Sequence, residues 1–238
     1  MGRSQDLNRA IERRRTLEAR EAADPQLAQR LRELRTWQAG RLAHTYEDLR
    51  REARYAPALD FFLTELYGPQ DFTRRDRDIE RAWGRLERTL PRAALAVLEE
   101  TLELQTLTAE LDQAMAAELA PGLVTAQTYA AAYRRVGRPE ARKRQIELII
   151  AIGTGLDRAV HHRLTGLALL AARIPAHATG FGALQSFLER GYAAFRSMGG
   201  ATHLLETIHG RESRLMEALL ACDPDPFGAR APPDALHG

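Results

Sequence analysis

Cysteine occurs once in the 238 residues, at Cys222. No disulfide can close within the chain and no cysteine-based zinc site can be built, which fits a reducing, cytoplasmic compartment. Valine and isoleucine together number only 12, and aromatic residues make up 6% of the chain. A pleated sheet wants β-branched and aromatic side chains, so their scarcity argues against a sheet-based fold. No stretch reaches the roughly 18 uncharged apolar residues of a membrane span. The longest candidate, Leu148 to Leu156, runs directly into Asp157, Arg158, His161, His162 and Arg163. The opening MGRSQDLNRAIERRR has basic residues with no apolar run behind them, so no secretory signal is expected. A nucleophile elbow of the G-x-S-x-G type, a Walker loop and a dinucleotide fingerprint are all missing. Gly153-Thr154-Gly155 is a G-x-G in letters only, because no strand precedes it.

What the chain has in quantity is leucine (34) and alanine (40), with 33 of its 34 basic residues arginine and the last Lys143. These are strong helix formers, and 45% apolar residues suffice for a core. The expected fold is all-α, a bundle of about eight or nine helices. Proline and glycine punctuate it clearly. Asp24-Pro25 reads as an N-cap with proline in the first turn, separating a helix near 4–22 from one running from 25 to about 55. In the second, Leu27, Leu31, Leu34, Gln38, Leu42, Tyr46, Leu49 and Ala53 form a narrow apolar stripe on a rod of about 45 Å. Such a seam must be covered by the first helix, by the main body or by a second copy of the chain. Further helices are expected from Pro57, over 73–89, from Pro91 to about Leu119, over 125–136, from Pro139 to about Ile174, near 181–197 and near 201–221. Gly153, Gly155 and Gly166 weaken the Pro139 helix unless they permit close helix approach. The organisation predicted is an N-terminal helical hairpin over 1–55, a bundle body over 56–222 and a disordered proline-rich tail over 223–238.

Two segments, FFLTELYGPQDFTRRD at 61–76 and AFRSMGGATHLLETIHGRE at 194–212, resemble the signature stretches of an uncharacterised proteobacterial all-helical family. The resemblance implies a helical body and carries over no activity and no catalytic residue.

Charge is nearly balanced overall, at +2, but polarised in the middle of the chain. Residues 91–120 hold Arg92 against Glu99, Glu100, Glu103, Glu110, Asp112 and Glu118. Arg134, Arg135, Arg138, Arg142, Lys143 and Arg144 then crowd the Gly137–Pro139 helix junction. Cations in the first turn of a helix oppose its dipole, yet exposed helix amides with several arginines suit a small anionic ligand such as a phosphate or carboxylate. The competing reading pairs this junction with the acidic 99–118 face. Nucleic acid is disfavoured as a partner, since acids are interspersed and no recognised nucleic-acid motif occurs.

Metal binding has three incomplete candidates. Glu206 and His209 form an E-x-x-H on one helical face, as di-iron bundles require, but no second E-x-x-H exists. His44 with Glu47 has the reversed order, and Asp157 with His161 is an i, i+4 pair. A single histidine beside an apolar face is more often a hydrogen-bonded core residue than a haem ligand. Cys222 has an acidic neighbour, Asp223, rather than the cationic surroundings of a reactive thiolate. Tyr55, Phe61, Phe62, Tyr67 and Phe72 are read as an anchor docking the Gly68-Pro69 turn on the bundle, and Phe181, Phe187, Tyr192, Phe195 and Met198 as core. The leading functional expectation is a non-enzymatic protein acting through protein contacts, with self-association through the N-terminal rods. The alternative is a bundle that binds a metal, di-iron-like, or a small anion.

Overall fold

The structure is a computed structural model that describes residues 2–65, 92–161 and 182–228. Within them the chain forms nine helices and no strand: α1 (Gly2–Ala23), α2 (Pro25–Thr45), α3 (Glu47–Arg50), α4 (Ala56–Glu65), α5 (Arg92–Glu118), α6 (Ala126–Val136), α7 (Pro139–His161), α8 (Gly182–Met198) and α9 (Thr202–Leu220). This is the all-α bundle expected. The expected 73–89 helix, Tyr67, Gly68, Pro69, Phe72, Gly166, Phe181 and residues 162–174 and 229–238 lie outside the described residues.

Local chemistry explains most of the boundaries. Asp24 accepts hydrogen bonds from the Gln26 and Leu27 amides, both at 3.0 Å, with Pro25 in the first turn of α2. Thr125 and Thr128 form a reciprocal capping box that opens α6. Gly137, at φ +59, closes α6, and Arg138 follows at φ +56 immediately before Pro139.

The long N-terminal rod is not continuous. The expected helix to residue 55 ends at Thr45, so α2 spans about 31 Å rather than about 45 Å. Tyr46 leaves helical geometry at φ −110, ψ 16. Its buried hydroxyl donates to Glu212 on α9, and Arg211 of that helix donates to the Thr45 carbonyl at 2.7 Å. In a continuing helix that carbonyl would serve Leu49. Contacts with α9 thus turn the chain where local propensity favoured going on.

Two large apolar clusters build most of the described core, beside a small one of Leu27, Leu31 and Ala116. The first joins Leu42, Tyr46 and Leu49 to Tyr55, Phe61 and Phe62 of the α4 region, Leu148 and Ile152 of α7, Phe187 and Phe195 of α8, and Leu204 and Ile208 of α9. Phe61 packs on Phe187 with ring centres 5.3 Å apart, and Phe62 meets the edge of Phe195 at 5.7 Å. The second cluster joins Leu34 and Trp37 of α2 to Met115 of α5, Leu119 just beyond its end, Tyr129 and Tyr133 of α6, and Leu219 of α9. Both clusters take residues from either side of position 55, and the α2 stripe is buried by the body of its own chain. Helix α1 lies along α5, where Gln113 donates to the Leu17 carbonyl at 2.8 Å and Arg13 pairs with Glu110.

The central α5 and α7 run antiparallel, with Val97 opposite Gly155 and Glu103 opposite Arg144. A β-carbon at Gly155 would stand 2.3 Å from Val97 Cγ2, and one at Gly153 would stand 2.4 Å from Leu205 Cδ2 on α9. These glycines let α7 approach two neighbours at once. Alanine in place of a mid-helix glycine ordinarily gains about 1 kcal/mol. Here Gly155→Ala is expected to lose about 1–2 kcal/mol net, because the stiff valine cannot yield and overpacking costs about 1–3 kcal/mol. Adding Val97→Ala should recover most of the loss in urea unfolding; additive losses would show that the close approach is not the cause.

Candidate functional site

Where the two larger apolar clusters meet, α2, α5, α6, α7 and α9 line a partly open cavity of about 70 Å³. Part of its wall is apolar: Leu42, Ile146, Ile149, Leu215, Met216 and Leu219. The rest is polar, and Arg41 and Arg142 are its most consequential members, exposed by only 7% and 4%.

Helix register puts these charges inside. Arg41 lies seven residues beyond Leu34, two turns along the same face of α2, and Arg142 lies four before Ile146 and seven before Ile149 on α7. Glu212 continues the α9 spacing of Leu205, Ile208, Leu215 and Leu219. All three occupy positions where the periodicity calls for an apolar residue.

Their hydrogen bonding differs. Arg41 Nη1 donates to both Glu212 oxygens, at 2.7 and 3.0 Å, and the Tyr46 hydroxyl donates to Glu212 at 2.8 Å. Burial works against the Arg41 charge, but Glu212 more than offsets it and the guanidinium pKa ends above its ordinary value. Arg142 has no such carboxylate. Its guanidinium lies over the Tyr133 ring, 3.9 Å from the centroid, and its buried Nε and Nη2 have no hydrogen-bond partner. Arg41 Nε is buried and unpartnered too. Buried polar groups are nearly always paired, and an unpaired one costs about 1–3 kcal/mol, more when charged. Burial pushes the phenol pKa values of Tyr129 and Tyr133 up, so both remain protonated.

Beside the cavity, the buried Asp112 accepts from Gln38 Nε2 at 3.1 Å and lies 3.8 Å from Arg35, which also grips Glu21 at 3.0 and 3.1 Å. Burial raises the Asp112 pKa from its ordinary 3.8, against the opposing pull of Arg35, Gln38 and Arg142. The folded chain therefore holds this proton more tightly than the unfolded chain. Stability from this group falls as pH rises from the ordinary carboxyl range through the raised pKa. Asp112→Asn, which can still accept from Gln38, should gain on the parent protein in urea midpoints as pH rises above the ordinary carboxyl range. A parent that gains on the variant over that range would refute this.

The sequence-derived basic cluster divides. Arg142 alone lines the cavity. Arg144 forms a bidentate pair with Glu103, both contacts 2.9 Å, and Arg135 reaches Glu118 at 3.4 Å, so these two pair with the acidic face of α5. Arg138 and Lys143 are exposed and Arg134 is half-buried, none of them lining the cavity.

Among the metal candidates, Asp157 and His161 are neighbours, with His161 Nδ1 2.7 Å from the Asp157 carbonyl oxygen. Glu206, His209 and Glu47 are exposed and His44 is half-buried. Among the described residues no three His, Cys, Asp or Glu side chains come together as a group that could hold a metal ion. No described helix is long and apolar enough to cross a membrane. Sequence reasoning missed Arg41, Glu212, Tyr129 and Tyr133; the signal available was charge placed in core register.

Fold and site together define an all-α bundle with a small, partly open cavity lined by two arginines. The chain belongs to the family described as Domain of unknown function (DUF8198), whose model matches residues 17–226, in keeping with the resemblance to an uncharacterised family. No curated protein and no solved structure matches it.

Proposed function

We propose that this protein is a non-catalytic binding protein that holds a small anion in the cavity between Arg41 and Arg142. One observation carries the reading: Arg142 is buried and charged in the cavity lining, and no carboxylate among the described residues hydrogen-bonds to it. A stably folded chain gains nothing from such a group unless something else supplies the acceptor. The apolar remainder of the wall would exclude water and strengthen the contact. Action through the N-terminal helices has less support, because the α2 stripe that called for a partner is covered within the chain.

Thermal unfolding in rising acetate or phosphate, at constant ionic strength, tests the proposal. At least one anion should raise the parent's Tm, as a ligand that binds only the folded state must. Arg142→Gln should abolish that response. Equal responses in parent and variant, or none in the parent, would remove the proposal.

A further inference from the structure

Resting on that anion reading, we infer that the site takes up a proton together with its anion, and that the carboxylate of Asp112 receives it.

Three guanidinium groups, on Arg35, Arg41 and Arg142, face three carboxylates, on Glu21, Asp112 and Glu212. Arg35 and Glu21 form a half-buried outer pair. Arg41, Arg142 and Asp112 are buried, and the Glu212 side chain is exposed by 14%. The interior thus holds two charges of each sign, with no surplus cation. An anion entering beside Arg142 leaves this set one charge negative, and an unbalanced charge away from water is costly. A proton that arrives with the anion restores the balance.

The proton goes to the carboxylate least firmly held in its charged form. Glu212 receives Arg41 on both oxygens and the Tyr46 hydroxyl on one of them. Glu21 receives two nitrogens of Arg35 and is partly open to solvent. Asp112 receives a neutral amide, Gln38 Nε2 at 3.1 Å, while Arg35 Nε stands off at 3.8 Å, beyond hydrogen-bond length. Charged donors hold a carboxylate ionised much better than a neutral one does.

Asp112 is also placed to respond to the ligand. It lies on α5, with Arg35 and Gln38 of α2, Glu21 of α1, Tyr129 of α6 and Arg142 of α7 as the charged and polar groups around it. Gln38, Tyr129 and Arg142 line the cavity. Arg142 favours the Asp112 anion, against burial, which favours the neutral acid. An anion set beside Arg142 cancels that pull, and Asp112 binds its proton more tightly. By reciprocity, a lower pH must tighten the hold on the anion, and the affinity falls as pH rises.

Calorimetric titration of the full chain with sodium acetate and with sodium phosphate, at about pH 6, 7 and 8 and constant ionic strength, tests the coupling against Asp112→Asn. Two buffers of different ionisation enthalpy give the protons taken up. Each anion ionises alike against both proteins, so the difference between them belongs to Asp112. The parent should lose affinity by up to about tenfold per pH unit more than the variant, with close to one extra proton taken up where that fall is steepest. At about pH 8 the variant, with a permanently neutral group at this position, should bind at least about tenfold tighter than the parent. Equal pH dependence and equal proton uptake in the two proteins would overturn the coupling and leave the anion reading standing. No binding of either anion by the parent would overturn both. If Asp112→Asn does not unfold cooperatively, Arg35→Gln serves instead. It removes a cation that favours the Asp112 anion, so the fall in affinity should move to higher pH, and an unmoved profile would count equally against Asp112.

Discussion

Replacing Glu212 by glutamine should lower the stability of the protein by about 3–5 kcal/mol, the largest loss expected from a one-atom change in the described chain. Arg41 is buried and donates to both Glu212 oxygens, so the neutral amide would leave its charge without a counter-ion. Tyr46 would lose part of the acceptor that anchors the break between α2 and α3. At about 2–4 °C per kcal/mol for a chain of this size, Tm should fall by roughly 6–20 °C. Removing both charges is a different matter, since well-packed apolar replacements for a buried pair are often neutral. An Arg41→Met, Glu212→Met double variant should therefore recover most of the loss. A Glu212→Gln variant within about 1 kcal/mol of the parent would mean that the pair behaves like an exposed one.

A second loss of similar size is expected at Phe195, where alanine should cost about 3–5 kcal/mol. Phe195 is fully buried and stands at the centre of the larger apolar cluster, edge-on to Phe62. Its neighbours come from α4, α7, α8 and α9, four helices that cannot collapse together into the space it leaves. Phe195→Leu should recover half of this deficit by refilling volume, roughly 2 kcal/mol. Urea unfolding followed by circular dichroism separates the outcomes. An alanine variant as stable as the parent would show that α8 is not seated on the bundle as described.

The helices were readable because composition and punctuation agree. The Asp24-Pro25 start and the Gly137 stop follow from side-chain and backbone chemistry that acts within a few residues. Close packing at Gly153 and Gly155 was legible for the same reason: glycine inside an apolar helix is costly unless another helix needs the space. The break at Tyr46 was not readable, because its cause lies on α9, more than 160 residues away in sequence. Spacing places Phe187 and Phe195 in the core, and the concentration of aromatics beside one turn marks Phe61 and Phe62 as an anchor; all four lie in the larger cluster.

The site was only half legible. A cluster of six basic residues at 134–144 attracts attention by number, but number is a poor guide where Arg144 and Arg135 are satisfied by Glu103 and Glu118 at the surface. Register is the better guide. The α7 stripe, read from Ile146 onward, continues backward by one turn to Arg142, and the stripe on α2 includes Arg41. A charged residue in core register must be paired, neutralised or kept for a ligand. Arg41 is paired with Glu212, and no carboxylate among the described residues hydrogen-bonds to Arg142.

The most direct measurement is the stability of Arg142→Met, a near-isosteric apolar replacement, in a zwitterionic buffer with no added salt. If the Arg142 charge is kept for a ligand, removing it relieves the cost of burying an unpaired cation. That relief outweighs the lost stacking on Tyr133, and the variant should be more stable than the parent by about 1–3 kcal/mol. The parent should then close the gap as acetate or phosphate is added, while the variant stays where it was. An Arg142→Met variant that is less stable than the parent without salt, and no closer or further from it with either anion, would show that Arg142 serves the fold and would contradict the account.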